Sequence, residues 1–154
     1  MDLFGNRLRV RVCGLCRVGD QLLMVRHRGL GPAGTFWAPP GGGLEYGETA
    51  GQALIREFRE ETGLVIEVGE LRFVSEYLNK PLHALELFFE ARIVGGDLQL
   101  GTDPELDTAN QLLADLQLLT FQAIKRLPAE EVHSLFQRCD SMEDLFQLRG
   151  YLHP

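Results

Sequence analysis

Three glutamates stand close together in the stretch GETAGQALIREFREETG, which runs from Gly47 to Gly63. Glu57, Glu60 and Glu61 are three and four residues apart, so on a helix their carboxylates lie on one side. Each like-charge pair costs about 0.2–0.5 kcal/mol, and a carboxylate in the last helical turn costs about 0.3–1 kcal/mol more. A bound divalent cation would reverse the sign of these terms, whereas a solvated acidic face would have to bear them. Helix geometry alone leaves both interpretations open.

Composition limits the partners that such a site could serve. The chain has 154 residues, a formal net charge of −7 and a pI near 5.1. Its length and its 45% hydrophobic content are those of one globular domain, residues 1–154. The negative charge argues against a general surface for nucleic acid or for anionic membranes. A small anionic substrate would therefore need local cations, from arginines or from a metal ion.

The residues flanking the glutamates form a longer pattern, GGLEYGETAGQALIREFREETGL, from Gly42 to Leu64. The pattern resembles the Nudix box, and it matches at every fixed position without a gap. The matching positions are Gly42, Glu48, Arg56, Glu57, Phe58, Glu60, Glu61, Gly63 and Leu64. The resemblance implies the α+β fold of that family, an α/β/α sandwich with a mixed β-sheet. It also implies hydrolysis of a diphosphate bond in a nucleoside diphosphate linked to another moiety.

The same resemblance implies a role for each residue of the box. Glu60 and Glu61 are expected to bind Mg²⁺ or Mn²⁺, with the backbone carbonyl of Gly42 as a further ligand. Glu57 is similar to a residue that serves either as the base or as another ligand. Arg56 is expected to orient the glutamates. Mg²⁺ and Mn²⁺ fit this assignment because they prefer hard oxygen ligands when they also hold phosphates.

Outside the box, two groups of residues are candidates for the site. Arg26 and Arg28 end a predicted strand before a Gly- and Pro-rich loop, residues 29–47, and we expect them to contact substrate phosphates. Arg26 resembles a substrate-binding arginine of some family members; a solvated strand end is the alternative. A later acidic ligand is common in the family, and Glu105 is the candidate, with Asp103 and Asp107 as alternatives.

The elements that would position this site follow from the apolar pattern. Leu8, Val10 and Val12 alternate with arginines and predict a half-buried strand, and Gly19-Asp20 predicts a tight turn into the strand QLLMVRHR. Thr49 and Gln52 predict a capping box, and Gly63 a helix end. The core side of that helix is expected to carry Leu54, Ile55 and Phe58. The later pattern predicts strands at LVIEV, LRFVSEYL, HALELFFEARIV and LLADLQLL, then helices around 121–139 and 142–149.

Two features bear on rival functions and on location. Cys13 and Cys16 form a C-x-x-C, but no second pair exists, and residues three apart point to opposite faces of a strand. We therefore expect buried thiols rather than a zinc or redox site. A Nudix-fold binding or regulatory module without activity is the main alternative to an enzyme, although the box is undamaged. With neither a signal peptide nor a membrane span in the sequence, we expect a cytoplasmic protein, for which a homodimer is one option.

Overall fold

Two β-sheets form the centre of the fold, and the first has five strands. The computed structural model describes residues 5–29, 32–101 and 113–154. The strands of this sheet are β1 (Arg7–Leu15), β5 (Gly41–Gly43), β6 (Leu64–Asn79), β7 (Leu82–Gly96) and β9 (Gly150–Leu152), and their order is β5-β1-β7-β6-β9. The pairs β1–β7 and β6–β9 are parallel and the others antiparallel, so the sheet is mixed. The runs expected as two strands, LVIEV and LRFVSEYL, are the single strand β6 with irregular register.

A second sheet surrounds β3 (Gln21–Arg28). Its other strands are β2 (Arg17–Val18), β4 (Thr35–Ala38) and β8 (Leu113–Thr120), each antiparallel to β3. The predicted turn at Gly19-Asp20 is present, with Gly19 at φ 61°. However, the turn joins β3 to the short β2, because the chain leaves the first sheet at Cys16.

The predicted helix is α1 (Ala50–Thr62), and its caps are those expected from the sequence. Thr49 and Gln52 form a complete capping box, and Gly63 ends the helix in the left-handed conformation, at φ 73°. Leu54 and Phe58 are buried on its core side. The prediction that Ile55 lies on that side was wrong, because its side chain is 37% exposed.

The C-terminal region is less helical than its pattern suggested. The helix expected over 121–139 ends early, as α2 (Phe121–Arg126), because Pro128 lacks an N–H and disfavours helical geometry at Leu127. Two short 3₁₀ turns follow, at Ala129–Glu131 and Ser134–Gln137. The last helix, α3, is Met142–Gln147, and residues expected to extend it instead lead into β9.

Two buried clusters place the sheets between helical layers. The cluster on the α1 side contains Val12, Cys16, Leu23, Leu54 and Phe58. The other joins strand residues to the C-terminal helices and turns; it includes Cys13, Met24, Phe73, Phe88, Ile124, Leu135, Phe136 and Leu145. This α/β/α arrangement with a mixed sheet confirms the predicted fold class. Among the described residues, no helix has the length and apolar character needed to cross a membrane.

The first half of β1 departs from the expected burial. Val12 is fully buried, but Leu8 is 60% and Val10 38% exposed, although all three alternate as predicted. The cluster that covers Val12 does not extend to the other two. Leu8 and Val10 instead line a cavity, together with residues of the box.

Candidate active site

The residues of the box meet in one cavity of about 470 Å³. Gly42 comes from β5, while Arg56, Glu57, Glu60 and Glu61 come from the second half of α1, and all five line the cavity wall. The helix begins at its capping box and ends at a left-handed glycine, so its register is fixed at both ends. These caps place the three glutamates on the side of α1 that faces the cavity.

Arg56 is the centre of a hydrogen-bond network within the site. Its Nη2 donates to Oε1 of Glu48 at 2.6 Å and to the carbonyl oxygen of Gly43 at 3.2 Å. Its Nη1 donates to Oε1 of Glu57 at 3.0 Å and to Oε2 of Glu60 at 3.3 Å. One guanidinium therefore connects β5 (Gly41–Gly43, the glycine strand), the loop before α1 and two of the glutamates. Its positive charge also offsets part of the repulsion between the glutamates.

Glu48 connects the loop to the helix. Its Oε1 accepts a hydrogen bond from the backbone N–H of Glu45 at 3.0 Å, in addition to the bonds from Arg56. The hydrogen bond from Arg56 lowers the pKa of Glu48 below its ordinary value. The side chain is consequently ionised and holds the loop against the arginine.

Glu61 and Glu57 both approach the backbone of the glycine strand closely. Glu61 is buried, and its Oε1 accepts the backbone N–H of Gly41 at 2.9 Å. A Cβ added at Gly42 would collide with the carboxylate of Glu57. The absence of a side chain at Gly42 thus leaves room for that carboxylate beside the backbone.

Burial changes the acidity of Glu57. It raises the pKa of Glu57 to about 7, although the charge and hydrogen bond of Arg56 oppose the shift, and the neighbouring Glu60 adds to it. A carboxyl group with this pKa exchanges its proton near neutral pH. It is thus suited either to accept a proton from a water molecule or to stabilise a cation once ionised.

The donors at this end of the cavity are chemically suited to a hard divalent cation. They are carboxylate oxygens of Glu57, Glu60 and Glu61 and backbone carbonyls of the glycine strand. The described residues contain no group of three acidic, histidine or cysteine side chains already converged on one point. Binding a metal here would therefore require the carboxylates to adjust, as the glycine at 42 allows.

The two arginines expected to bind substrate, unlike the residues of the box, are not among the described residues that line the cavity. Arg26 and Arg28 lie at the end of β3 as predicted, but the described residues that line the cavity include their neighbour His27 instead. Alternation along a strand accounts for this, since His27 points to the opposite face from both arginines. Their contact with substrate stays a prediction. Glu105, Asp103 and Asp107 lie outside the described residues.

A second polar group lines the cavity and was not expected from the sequence. Arg11 of β1 and Glu86 of β7 are direct neighbours in the parallel register, and their side chains form an ion pair at 2.8 Å. His133 bonds to the same carboxylate at 2.6 Å. The signal available in the sequence is a charge, Glu86, within the apolar run ALELFF. Nothing local indicates its partners, which are distant along the chain.

The aromatic residues before the glycine strand divide between core and cavity. Trp37 packs against the C-terminal core cluster, and its carbonyl accepts the backbone N–H of His133 at 2.9 Å. Phe36 lines the cavity, next to the ring of His133 at a centroid distance of 6.1 Å. Tyr77 and His83 also line it, from β6 and β7.

Comparison with known proteins agrees with this architecture. The model of the NUDIX domain family matches residues 5–137. Among solved structures, a NUDIX hydrolase from Nitrosomonas europaea superposes with a TM-score of 0.71 at 25% identity, covering 90% of this chain and 88% of that one. A UDP-X diphosphatase gives a TM-score of 0.65 at 24% identity, covering 95% and 67% of the two chains, and supports the fold alone.

Curated relatives match over part of their length. An ADP-ribose pyrophosphatase of Methanocaldococcus jannaschii is 33% identical over 96 residues, which are 61% of this chain and 56% of that protein. The NAD-capped RNA hydrolase NudC of Pseudomonas aeruginosa is 31% identical over 125 residues, 80% of this chain and 40% of that protein. This chain thus spans about half of these relatives or less. The family match, in contrast, covers most of this chain and includes the whole glutamate motif, and the protein accordingly belongs to the Nudix family.

Proposed function

We propose that this protein is a metal-dependent hydrolase of the diphosphate bond in a nucleoside diphosphate joined to another moiety. The observation that carries the proposal is the meeting of Gly42, Arg56, Glu57, Glu60 and Glu61 in one cavity. These are the positions to which the Nudix box assigns metal binding and catalysis. A complete set of these residues supports an enzyme over a binding module that has lost its activity.

Glu60, Glu61 and the carbonyl of Gly42 are the groups that we assign to Mg²⁺ or Mn²⁺. Such an ion, when bound, neutralises diphosphate charge, orients the substrate and makes a coordinated water more acidic. Arg56 would hold Glu60 in place through the 3.3 Å hydrogen bond that it already makes. Glu48 would hold Arg56, since its two carboxylate oxygens accept from Nε and Nη2 along one edge of the guanidinium.

We assign Glu57 as the base that takes the proton of the attacking water. Its Oε1 is bound by Arg56, so Oε2 is the oxygen that would accept the proton. Burial in the cavity wall brings the pKa of this carboxyl group to about 7, which is near the optimum for a general base at neutral pH. Glu57 as an additional metal ligand is the alternative role.

The site and the names of two curated relatives together support a substrate class. The names of the two curated relatives specify ADP-ribose and NAD-capped RNA. In both compounds a diphosphate group joins an adenosine to another moiety. A cavity of about 470 Å³ can hold much of one nucleotide-sized molecule. A small nucleoside diphosphate derivative is accordingly the substrate that we propose, and nucleic acid is not expected to be required.

A substrate panel tests this proposal. ADP-ribose, UDP-glucose, NADH, a dinucleoside polyphosphate, a nucleoside triphosphate and an NAD-capped RNA oligonucleotide are each incubated with Mg²⁺, Mn²⁺ or EDTA. Release of mononucleotide or phosphate is then followed by chromatography. We expect at least one small compound to be cleaved with metal and not with EDTA. Preferential cleavage of the RNA would contradict the proposed substrate class.

The panel is repeated with two matched variants. Glu60→Gln removes a proposed ligand, and we expect its turnover to fall at least 100-fold. Glu143→Gln makes the same change on α3, at an exposed residue outside the cavity that pairs only weakly with Arg17, and should leave turnover unchanged. Cleavage that resists EDTA, or equal activity in both variants, would refute metal-dependent catalysis by the box. Binding of a compound without cleavage would favour the silent module.

A further inference from the structure

Arg11 places a positive charge in the cavity wall apart from the Arg56 network. Its side chain is about one-fifth exposed, at 21%, and it lines the same cavity as the three glutamates. Nη1 donates to Oε2 of Glu86 at 2.8 Å. Among the described residues, this is the one hydrogen bond made by the side chain of Arg11. A guanidinium has five N–H donors in a planar fork. The remaining donors of Arg11 are thus available to a molecule in the cavity.

Glu86 is held so firmly that it fixes the orientation of Arg11. The carboxylate is buried, with 4% of the side chain exposed, and each of its oxygens has a charged or polar partner. Oε2 accepts from Arg11, and Oε1 accepts from Nε2 of His133 at 2.6 Å. Burial alone would raise the pKa of Glu86, but His133 and Arg11 lower it below the ordinary value. The carboxylate therefore stays ionised opposite the guanidinium.

His133 is in turn fixed in one tautomer. Its Nδ1 accepts the backbone N–H of Leu135 at 3.0 Å, so Nδ1 carries no proton and the hydrogen is on Nε2. Nε2 then donates to Glu86. The ring of Phe88 packs edge-on against the imidazole at a centroid distance of 5.6 Å. The hydrogen-bond series His133–Glu86–Arg11 thus ends with a guanidinium whose position is fixed by Glu86, which is itself held by His133.

We propose that Arg11 anchors a phosphate group of the substrate and that Glu86 and His133 are its positioning residues. Three observations favour a phosphate over other ligands. A guanidinium fork matches phosphate oxygens in geometry and charge. Arg56, which also lines the cavity, is already bonded to Glu48, Glu57, Glu60 and the carbonyl of Gly43. Arg11 also supplies a positive charge beside Glu57 and Glu61, in a cavity whose acidic wall would otherwise repel an anionic ligand.

This assignment rests on the proposed function, because it deepens the substrate class of the same site. It differs from the sequence expectation, which gave phosphate contact to Arg26 and Arg28. It also gives a role to Arg11, Glu86 and His133, which have none in the proposed hydrolysis. The test measures binding and turnover separately, so the anchor and the hydrolase activity can fail independently.

The binding experiment uses ADP and Mn²⁺ as probes in isothermal titration calorimetry. Arg11→Gln is expected to weaken ADP binding, measured at saturating Mn²⁺, at least 10-fold. The same variant should bind Mn²⁺ alone as well as, or better than, the natural protein, because a positive charge near Glu57 and Glu61 is removed. These opposite directions distinguish loss of an anchor from general disruption of the site, which would weaken both.

Three further variants complete the experiment. Arg11→Lys keeps the charge but loses the fork, and we expect ADP affinity between those of the natural protein and Arg11→Gln. Glu86→Gln frees the guanidinium and should weaken ADP binding by a smaller factor than Arg11→Gln. Arg92→Gln is the matched control, since Arg92 is also a strand arginine paired with a glutamate, Glu67, but is exposed outside the cavity. It should bind ADP normally.

Turnover of the best compound from the panel gives the second readout. In Arg11→Gln, KM should rise by a larger factor than kcat falls, as expected for lost binding of a phosphate. An Arg11→Gln protein that melts normally and binds ADP with unchanged affinity would overturn the proposal, as would a natural protein that does not bind ADP with Mn²⁺. If ADP binding depends on Arg11 but no compound is cleaved, the anchor stands and the proposed hydrolase function fails.

Discussion

At the scale of single residues, the site depends on a competition around Glu57. Burial in the cavity wall disfavours its negative charge, while the Arg56 guanidinium at 3.0 Å favours it. Burial is the stronger effect, and the pKa of Glu57 rises to about 7. Since the unfolded chain releases this proton near pH 4.5, the charge destabilises the folded, metal-free protein increasingly as pH rises from about 4.5 to 7.

Glu57→Gln tests this competition directly. The amide cannot ionise, so at pH 8 the metal-free variant should be more stable than the natural protein by roughly 1–3 kcal/mol, with little difference at pH 4.5. Turnover with saturating metal should fall by about 10²–10⁴, as expected for loss of a general base. Urea denaturation in EDTA at both pH values and steady-state kinetics measure the two effects. A destabilised variant with normal turnover would make Glu57 a structural residue.

At the scale of elements, helix α1 carries the glutamates that we propose as metal ligands and base, and its ends determine where they point. Its C-terminal stop depends on Gly63, whose φ of 73° is unfavourable for other residues and where a Cβ would collide with the carbonyl oxygen of Asp97. Gly51, near the other end of the same helix, has helical geometry and no atom close to the position of a Cβ. The two glycines therefore respond in opposite ways to the same change.

Gly63→Ala is expected to lower the free energy of unfolding by about 1–2 kcal/mol or more, because of its strained backbone and the collision. Gly51→Ala, the matched control, should raise it by about 0.5–1 kcal/mol, because alanine favours a helix more than glycine does. Thermal or urea denaturation of the metal-free proteins gives both values. The assigned role of Gly63 as a helix stop would be wrong if the two substitutions shifted stability in the same direction.

Local elements could be predicted from the sequence, and non-local contacts could not. The α1 caps at Thr49 and Gly63 are encoded within a few residues, and both are present as expected. The short strand β9 escaped prediction, because Gly150–Leu152 becomes a strand only by pairing with β6, far away in the sequence. Likewise, nothing near Glu86 indicates His133, which contacts it from 47 residues further along the chain.

At the scale of the whole molecule, the cavity unites parts of the chain that fold into different layers. Its acidic end comes from α1, on one side of the sheets, whereas His133 comes from the C-terminal region, on the other side. A ligand that spans these groups would contact several elements at once. A ligand that binds only the folded state stabilises the entire domain. The stability of the domain should therefore report metal binding.

We expect Mg²⁺ or Mn²⁺ to raise the melting temperature. At 100 times its Kd, a metal that binds only the folded state adds about 2.7 kcal/mol, which is roughly 5–10 °C for a chain of this size. Differential scanning calorimetry in EDTA and in millimolar metal measures the shift. Glu61→Gln should show a much smaller shift than Glu143→Gln. A melting temperature that millimolar metal leaves unmoved, with and without ADP, would refute a metal site in this cavity.

The three cysteines give this architecture a chemical reporter of its own. Cys13 and Cys16 are buried in different core clusters, and Cys139 is buried beside the C-terminal turns. Burial raises the pKa of Cys16 and Cys139 to about 11, and it also raises that of Cys13, with Glu86 adding to the effect. Thiols in this state are protected from alkylating reagents while the domain is closed. The alkylation rate of Cys16 therefore reports opening of the cluster on the α1 side, and the rates of Cys13 and Cys139 report opening of the other cluster; mass spectrometry reads both without an engineered label.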